Sequence, residues 1–149
     1  MKLMISTQHM ATVAEHCQQA YPNEGCGILL GTSEPESTTV VDVLPTGNAR
    51  EDAEQHNRYL IPPEALLKGE LQAEERGLEV IGYFHSHPDH SAKPSEFDLE
   101  HAWPWYSYLI MSVREGKAVA SRSWQLREDR SGFDEETIVQ PGPGQEIRN

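Results

Sequence analysis

At 149 residues the chain is about one domain long, and with 37% hydrophobic residues it can bury a core without disulfide staples. Twenty-four acidic against twelve basic residues give a net charge of −12, spread along the chain, which would repel nucleic-acid phosphate and so disfavours that partner class. No apolar run approaches the roughly 20 residues of a membrane span, and the start turns polar at once. We therefore expect no membrane association, no secretory leader and residence in the cytoplasm. Cys17 and Cys26 form no zinc-ribbon spacing, and two reduced thiols are expected, with Cys26 in the core.

Residues 7–21 read as a helix capped by Thr7, with Met10, Val13, Ala14, Cys17 and Tyr21 on one face and Pro22 as the stop. A buried strand follows at 27–30, and a β-branched strand at 38–44 ends at Pro45 and Gly47. Residues 48–57 read as a polar loop, 58–61 as a short strand, and Pro62-Pro63-Glu64 opens a helix that runs to about Arg76 and ends at Gly77. A central strand at 78–84 leads into a Pro-rich loop at 88–94 and a short helix at 95–102. Residues 106–113 and 118–126 form a hairpin around Glu115-Gly116, and a last strand falls at 137–139. The pattern is one α/β (α+β) domain over residues 1–140, a mixed central β-sheet flanked by helices, with a flexible tail at 141–149.

The chemistry lies in the stretch from Gly82 to Asp98. His85 and His87, two apart on a strand, point to one face and can converge on one ion. Asp98, on the following helix, can return a carboxylate to the same point. Two histidines and one carboxylate leave a fourth tetrahedral position open, the arrangement of catalytic rather than structural zinc, where a water would have its pKa lowered to about 7. Each fragment also has a plain reading: His-x-His as a hydrogen-bonded pair, Ser95 with Asp98 as a helix capping box, Glu24 as a solvated acid after a turn. The remaining histidines near the motif, His90 and His101, are expected at surface or supporting positions. Ser86 should face the opposite side and bond backbone, and the run from Trp103 to Tyr106 is expected in the core, with a substrate-groove wall as the alternative.

Taken together, His85-x-His87-Pro88-x6-Ser95-x2-Asp98 with Glu24 upstream resembles the JAMM motif of the MPN-domain metalloproteases. The resemblance spans residues 3 to 126 and fills all five motif positions. It implies a single MPN-like domain and one zinc per chain on His85, His87 and Asp98. It also implies Glu24 as the base that takes a proton from water, and Ser95 as a donor to the oxyanion. The implied substrate is the bond after the C-terminal Gly-Gly of a ubiquitin-like protein. The short spacing between His87 and Ser95 is similar to compact prokaryotic members that process sulfur-carrier proteins. The rivals are a general zinc peptidase on the same fold and a metal-free MPN scaffold. A deaminase signature, a His-Glu-x-x-His helix and the length of a TIM barrel are all absent from the sequence.

Overall fold

The computed structural model describes residues 1–50, 55 and 58–140. In chain order the elements are β1 (Lys2–Met4), α1 (Thr7–Ala20), β2 (Cys26–Ser33), β3 (Ser37–Thr46), α2 (Pro63–Glu75), β4 (Glu79–Pro88), α3 (Glu96–His101), β5 (Ser107–Arg114), β6 (Lys117–Leu126) and β7 (Phe133–Val139). The sheet runs β1-β3-β2-β4-β5-β6-β7 and closes, because β1 pairs with both β3 and β7. Those two pairings and β4 with β5 are parallel; the other neighbours are antiparallel. The mixed sheet with flanking helices is as expected, but its closure is not. The closing strand β1 is three residues long, too short for alternation to register in sequence, and exists because Leu3 is wholly buried.

The core lies on both faces of the sheet. Leu29, Val40, Ile81, Phe84 and Leu109 pack with Val13 and Cys17 of α1, while Ile28, Leu30 and Cys26 pack with Ala73 of α2. Alternation along β2 thus sends successive side chains to the two helices. A register shift opposite Leu29 and Leu30 places an extra residue, Ile81, in β4. Beyond it, Phe84 and Ser86 face the α1 side, and Tyr83, His85 and His87 the other. At Gly27 a Cβ would run into the Phe84 ring, so glycine is what lets β2 approach β4 next to the site.

Several expected boundaries move. The cap of α1 is Ser6, not Thr7: Ser6 is extended and its side chain accepts from His9 N at 3.0 Å, while Thr7 is already helical. Pro45 does not end β3 but lies within it, paired with Gly27; β1 covers only Ser37–Thr39, so the missing N–H of Pro45 faces no partner strand. Residues 58–61 are not a strand. Asn48 holds them as an extended loop, donating to Arg58 O at 2.9 Å and accepting from Leu60 N at 3.1 Å. The last strand starts earlier, at Phe133, and α2 and the hairpin at Glu115 and Gly116, both at positive φ, match expectation. Trp103 and Trp105 are 62% and 73% exposed, against the core placement expected, because the turn after α3 carries them outward while Tyr106 packs inward. Residues 48–50 and 55 are loop; the rest of that expected loop and the tail at 141–149 lie outside the described residues. No helix among the described residues is long and apolar enough to cross a membrane.

Candidate metal centre and active site

β4 continues to Pro88; His85 is paired with both β2 and β5, and His87, one residue from the end of the strand, with β5. Their period-two spacing puts both imidazoles on one face. The polypeptide then turns through residues 89–95 and returns as α3, which brings Asp98 over them. Nε2 of His85 lies 3.2 Å from Nε2 of His87 and 3.2 Å from Asp98 Oδ1, and Nε2 of His87 lies 3.1 Å from Asp98 Oδ2. All three side chains are buried or nearly so. Among the described residues they are the group of histidine, cysteine and acidic side chains whose ligand atoms could hold a metal ion, all lying within 4.8 Å of one another.

The supporting bonds set the chemistry. His87 Nδ1 sits 2.8 Å from Ser91 O, and a carbonyl can only accept. Nδ1 therefore carries the proton and the neutral ring presents a lone pair at Nε2, as a ligand must. Burial alone would lower the His87 pKa, but the hydrogen bond and charge of Asp98 outweigh it and hold it above its ordinary value. Burial works against ionised Asp98 as well, yet both imidazoles and the Ser95 amide hold that carboxyl well below the usual carboxylate range. His85 Nδ1 is buried with no hydrogen-bond partner among the described residues.

Glu24 stands in the turn between α1 and β2, 5% exposed. Its backbone is fixed by Glu24 N donating to Gln55 O and by Asn48 Nδ2 donating to Glu24 O at 3.2 Å. The next residue is tied to β4: Gly25 N donates to Ser86 Oγ at 2.8 Å and Ser86 N to Gly25 O at 3.0 Å. Ser86 thus faces away from the two imidazoles and bonds backbone, as expected. Burial pushes the Glu24 carboxyl up to about 7, with both histidines and Arg58 pulling it down and Asp98 raising it.

Ser95 caps α3. Its Oγ accepts from Asp98 N at 3.1 Å, and Ser95 N donates to Asp98 Oδ2 at 2.9 Å, a complete capping box. The cap uses an oxygen lone pair and leaves the hydroxyl proton free to donate elsewhere. Glu24, His87 and Ser95 line one open cleft of about 300 Å³ with Arg58, His90 and Lys93. His90 is therefore at the cleft but outside the converging group. His101 stacks on Phe97 at 4.0 Å, away from it.

Sequence reasoning passed over two residues. Tyr59 stacks on His85, and Asn48 ties the Tyr59 segment to Glu24. Asn48, in a polar run between Gly47 and Ala49, has no periodic neighbour to single it out.

The chain is similar to proteins of known kind. It is 38% identical over 92 residues to a desampylase of Haloferax volcanii, covering 61% of this chain and 63% of that protein. It is 34% identical over 98 residues to a probable TtuB-protein conjugate cleaving protease of Thermus thermophilus, covering 66% and 62%. The matched region thus spans less than two thirds of either relative. Among solved structures, a protein from Desulfitobacterium hafniense superposes with a TM-score of 0.81 at 31% identity, covering 93% of this chain and 92% of that one. A JAB1/MPN domain protein from Archaeoglobus fulgidus, at 19% identity, TM-score 0.54 and coverage of 93% and 99%, shows the same fold. The family model described as prokaryotic homologs of the JAB domain matches residues 6–127, a stretch that contains Glu24, His85, His87, Ser95 and Asp98, and the chain belongs to that family.

Proposed function

We propose that this protein is a zinc-dependent hydrolase that cuts the peptide or isopeptide bond after the C-terminal Gly-Gly of a ubiquitin-like protein of the sulfur-carrier type. The observation that carries this reading is the convergence of two imidazoles and a carboxylate beside a buried glutamate, in a cleft open to solvent. Three ligands, one of them with its tautomer fixed for ligation, suit a zinc ion with one position left for reactants. Zinc held by His85, His87 and Asp98 would polarise the scissile carbonyl and acidify a water.

The chain's own groups do the rest. Glu24, buried at the cleft beside the three ligands, takes the proton of the attacking water and returns it to the leaving amine. The free hydroxyl proton of Ser95 donates to the carbonyl oxygen as negative charge develops there. The Ser91 carbonyl keeps His87 in the ligating tautomer through the cycle. Residues without side chains approach a reacting centre most closely, which favours glycine on the acyl side. The names of the relatives in Haloferax and Thermus, which speak of desampylation and of cleaving TtuB conjugates, support a protein-conjugate substrate.

The test is to incubate the purified protein with ubiquitin-like carriers extended or conjugated beyond Gly-Gly and to read the product masses, with and without a chelator. Release of the carrier ending in Gly-Gly, abolished by chelation and restored by zinc, is expected. No cleavage of any conjugate by the zinc-loaded protein would favour a scaffold; equal cleavage of unrelated peptides would favour a general zinc peptidase.

A further inference from the structure

The two histidines of the metal group are supported by different means. His87 has a hydrogen bond behind it, from Nδ1 to the Ser91 carbonyl. His85 has none among the described residues: its Nδ1 is buried without a partner there, and the ring is 1% exposed. What lies against His85 is Tyr59, with ring centroids 4.4 Å apart and planes inclined by only 18°. An imidazole without a hydrogen bond at its far nitrogen is free to turn about its χ2 torsion unless something covers its face.

We propose that Tyr59 is a positioning residue for the metal centre, setting the plane of His85 by stacking where the usual hydrogen bond to the far nitrogen is missing; this rests on the metal reading above. The position of Tyr59 is itself built. Asn48 donates to Arg58 O and accepts from Leu60 N, clamping the backbone on both sides of Tyr59, and Ala49 N donates to Leu60 O at 2.7 Å. The same Asn48 amide donates to Glu24 O at 3.2 Å. One side chain therefore registers the glutamate and the stacking ring against each other. This explains why 58–61, which reads as a strand, is held as a loop: a strand there would enter a sheet rather than lay Tyr59 across His85. Ligation withdraws electron density from an imidazole, and an electron-rich phenol face then attracts it more strongly, so the stack favours the metal-bound form as well as the productive ring plane.

The test measures zinc affinity by chelator competition in wild type, Tyr59→Phe and Tyr59→Leu, with His85 ring-proton shifts in the metal-free proteins as a direct report of stacking. Tyr59→Phe keeps the ring and should bind zinc within about twofold of wild type. Tyr59→Leu should weaken zinc by about three- to tenfold, the range that corresponds to an aromatic pair. The His85 protons should move downfield in Tyr59→Leu alone, as they leave the shielding face of the ring. If Tyr59→Leu folds poorly, Asn48→Ser, which shortens the clamp, should show the same downfield movement and weaker zinc. Equal affinity in all variants with a lost ring shift would overturn the positioning role while leaving the metal site standing. Failure of wild type itself to bind zinc would instead sink the metal reading and this inference with it.

Discussion

Burial in the turn before β2 raises the Glu24 carboxyl from its ordinary 4.5 to about 7. Between those values the folded metal-free protein keeps a proton that the unfolded chain has released. Its stability therefore falls as pH rises through that window and stays lower above it. Glu24→Gln removes this loss. Melting of chelator-treated protein should show the mutant matching wild type near pH 4 and exceeding it at pH 8 by up to about 3 kcal/mol. With zinc bound, the same substitution should keep the metal and lower turnover by about 10²- to 10⁴-fold, since an amide cannot take a proton. Unchanged turnover would remove Glu24 from the chemistry. Ser95 has two separable uses. Ser95→Ala should cost about 0.5–2 kcal/mol through the lost cap, read by denaturant titration. It should also lower kcat by roughly 10²- to 10³-fold through the lost donor. A destabilised variant of normal kcat would leave Ser95 as a cap only.

At the scale of elements, the weak member is α3. Six residues cannot hold a helix by themselves, yet α3 carries Asp98 to the site. Its N-terminus is closed by the capping box. Its C-terminus is closed by Arg130, which donates to Ala102 O at 2.9 Å and to Leu99 O and Glu100 O at 3.3 and 3.4 Å. Phe97 on the same helix lies under the guanidinium groups of Arg50 and Arg58, at 5.0 and 4.5 Å. The loop before α3 is held as firmly: Tyr21 donates to Asp89, Ser112 to His90 O and Trp124 to Ala92 O. Arg130→Ala should therefore lower stability by about 1 kcal/mol, modest because the side chain is exposed, and weaken zinc several-fold by loosening α3. Zinc affinity equal to wild type, measured beside the melting temperature, would show that the capping box alone positions Asp98.

For the whole molecule, closure of the sheet depends on its shortest strand. β1 bridges β3 and β7, and Leu3 is wholly buried there, on the side of the core away from the cleft. Leu3→Ala should cost about 2–5 kcal/mol by denaturant titration while leaving kcat of the remaining folded protein unchanged. On the proposed reading, substrate choice belongs to this scale too, because an activated water is not selective and discrimination would come from contacts along the tail and with the carrier's body. Replacing the penultimate glycine of a cleaved carrier with alanine and then valine should lower kcat/KM stepwise. Acceptance of valine as readily as glycine would remove the Gly-Gly requirement.

Much of this was legible in the sequence. Period-two spacing puts His85 and His87 on one face wherever the strand ends, and Ser-x-x-Asp is a capping-box signature, so the convergence of His85, His87 and Asp98 and the cap at Ser95 were readable from local geometry and order. The helix α1, the hairpin and the central strand were readable for the same reason, since each rests on periodicity and turn chemistry within a few residues. What only the tertiary structure decided are features set by distant partners. β1 is a strand because β3 and β7 flank it, Pro45 is tolerated because β1 stops short of it, and 58–61 is a loop because Asn48 occupies its backbone groups. Trp103 and Trp105 are exposed because of how the turn after α3 leaves the sheet, which no pattern of hydrophobicity encodes. The raised Glu24 carboxyl and the stack on His85 likewise need the folded surroundings, for burial and ring contact are properties of neighbours far apart in the chain.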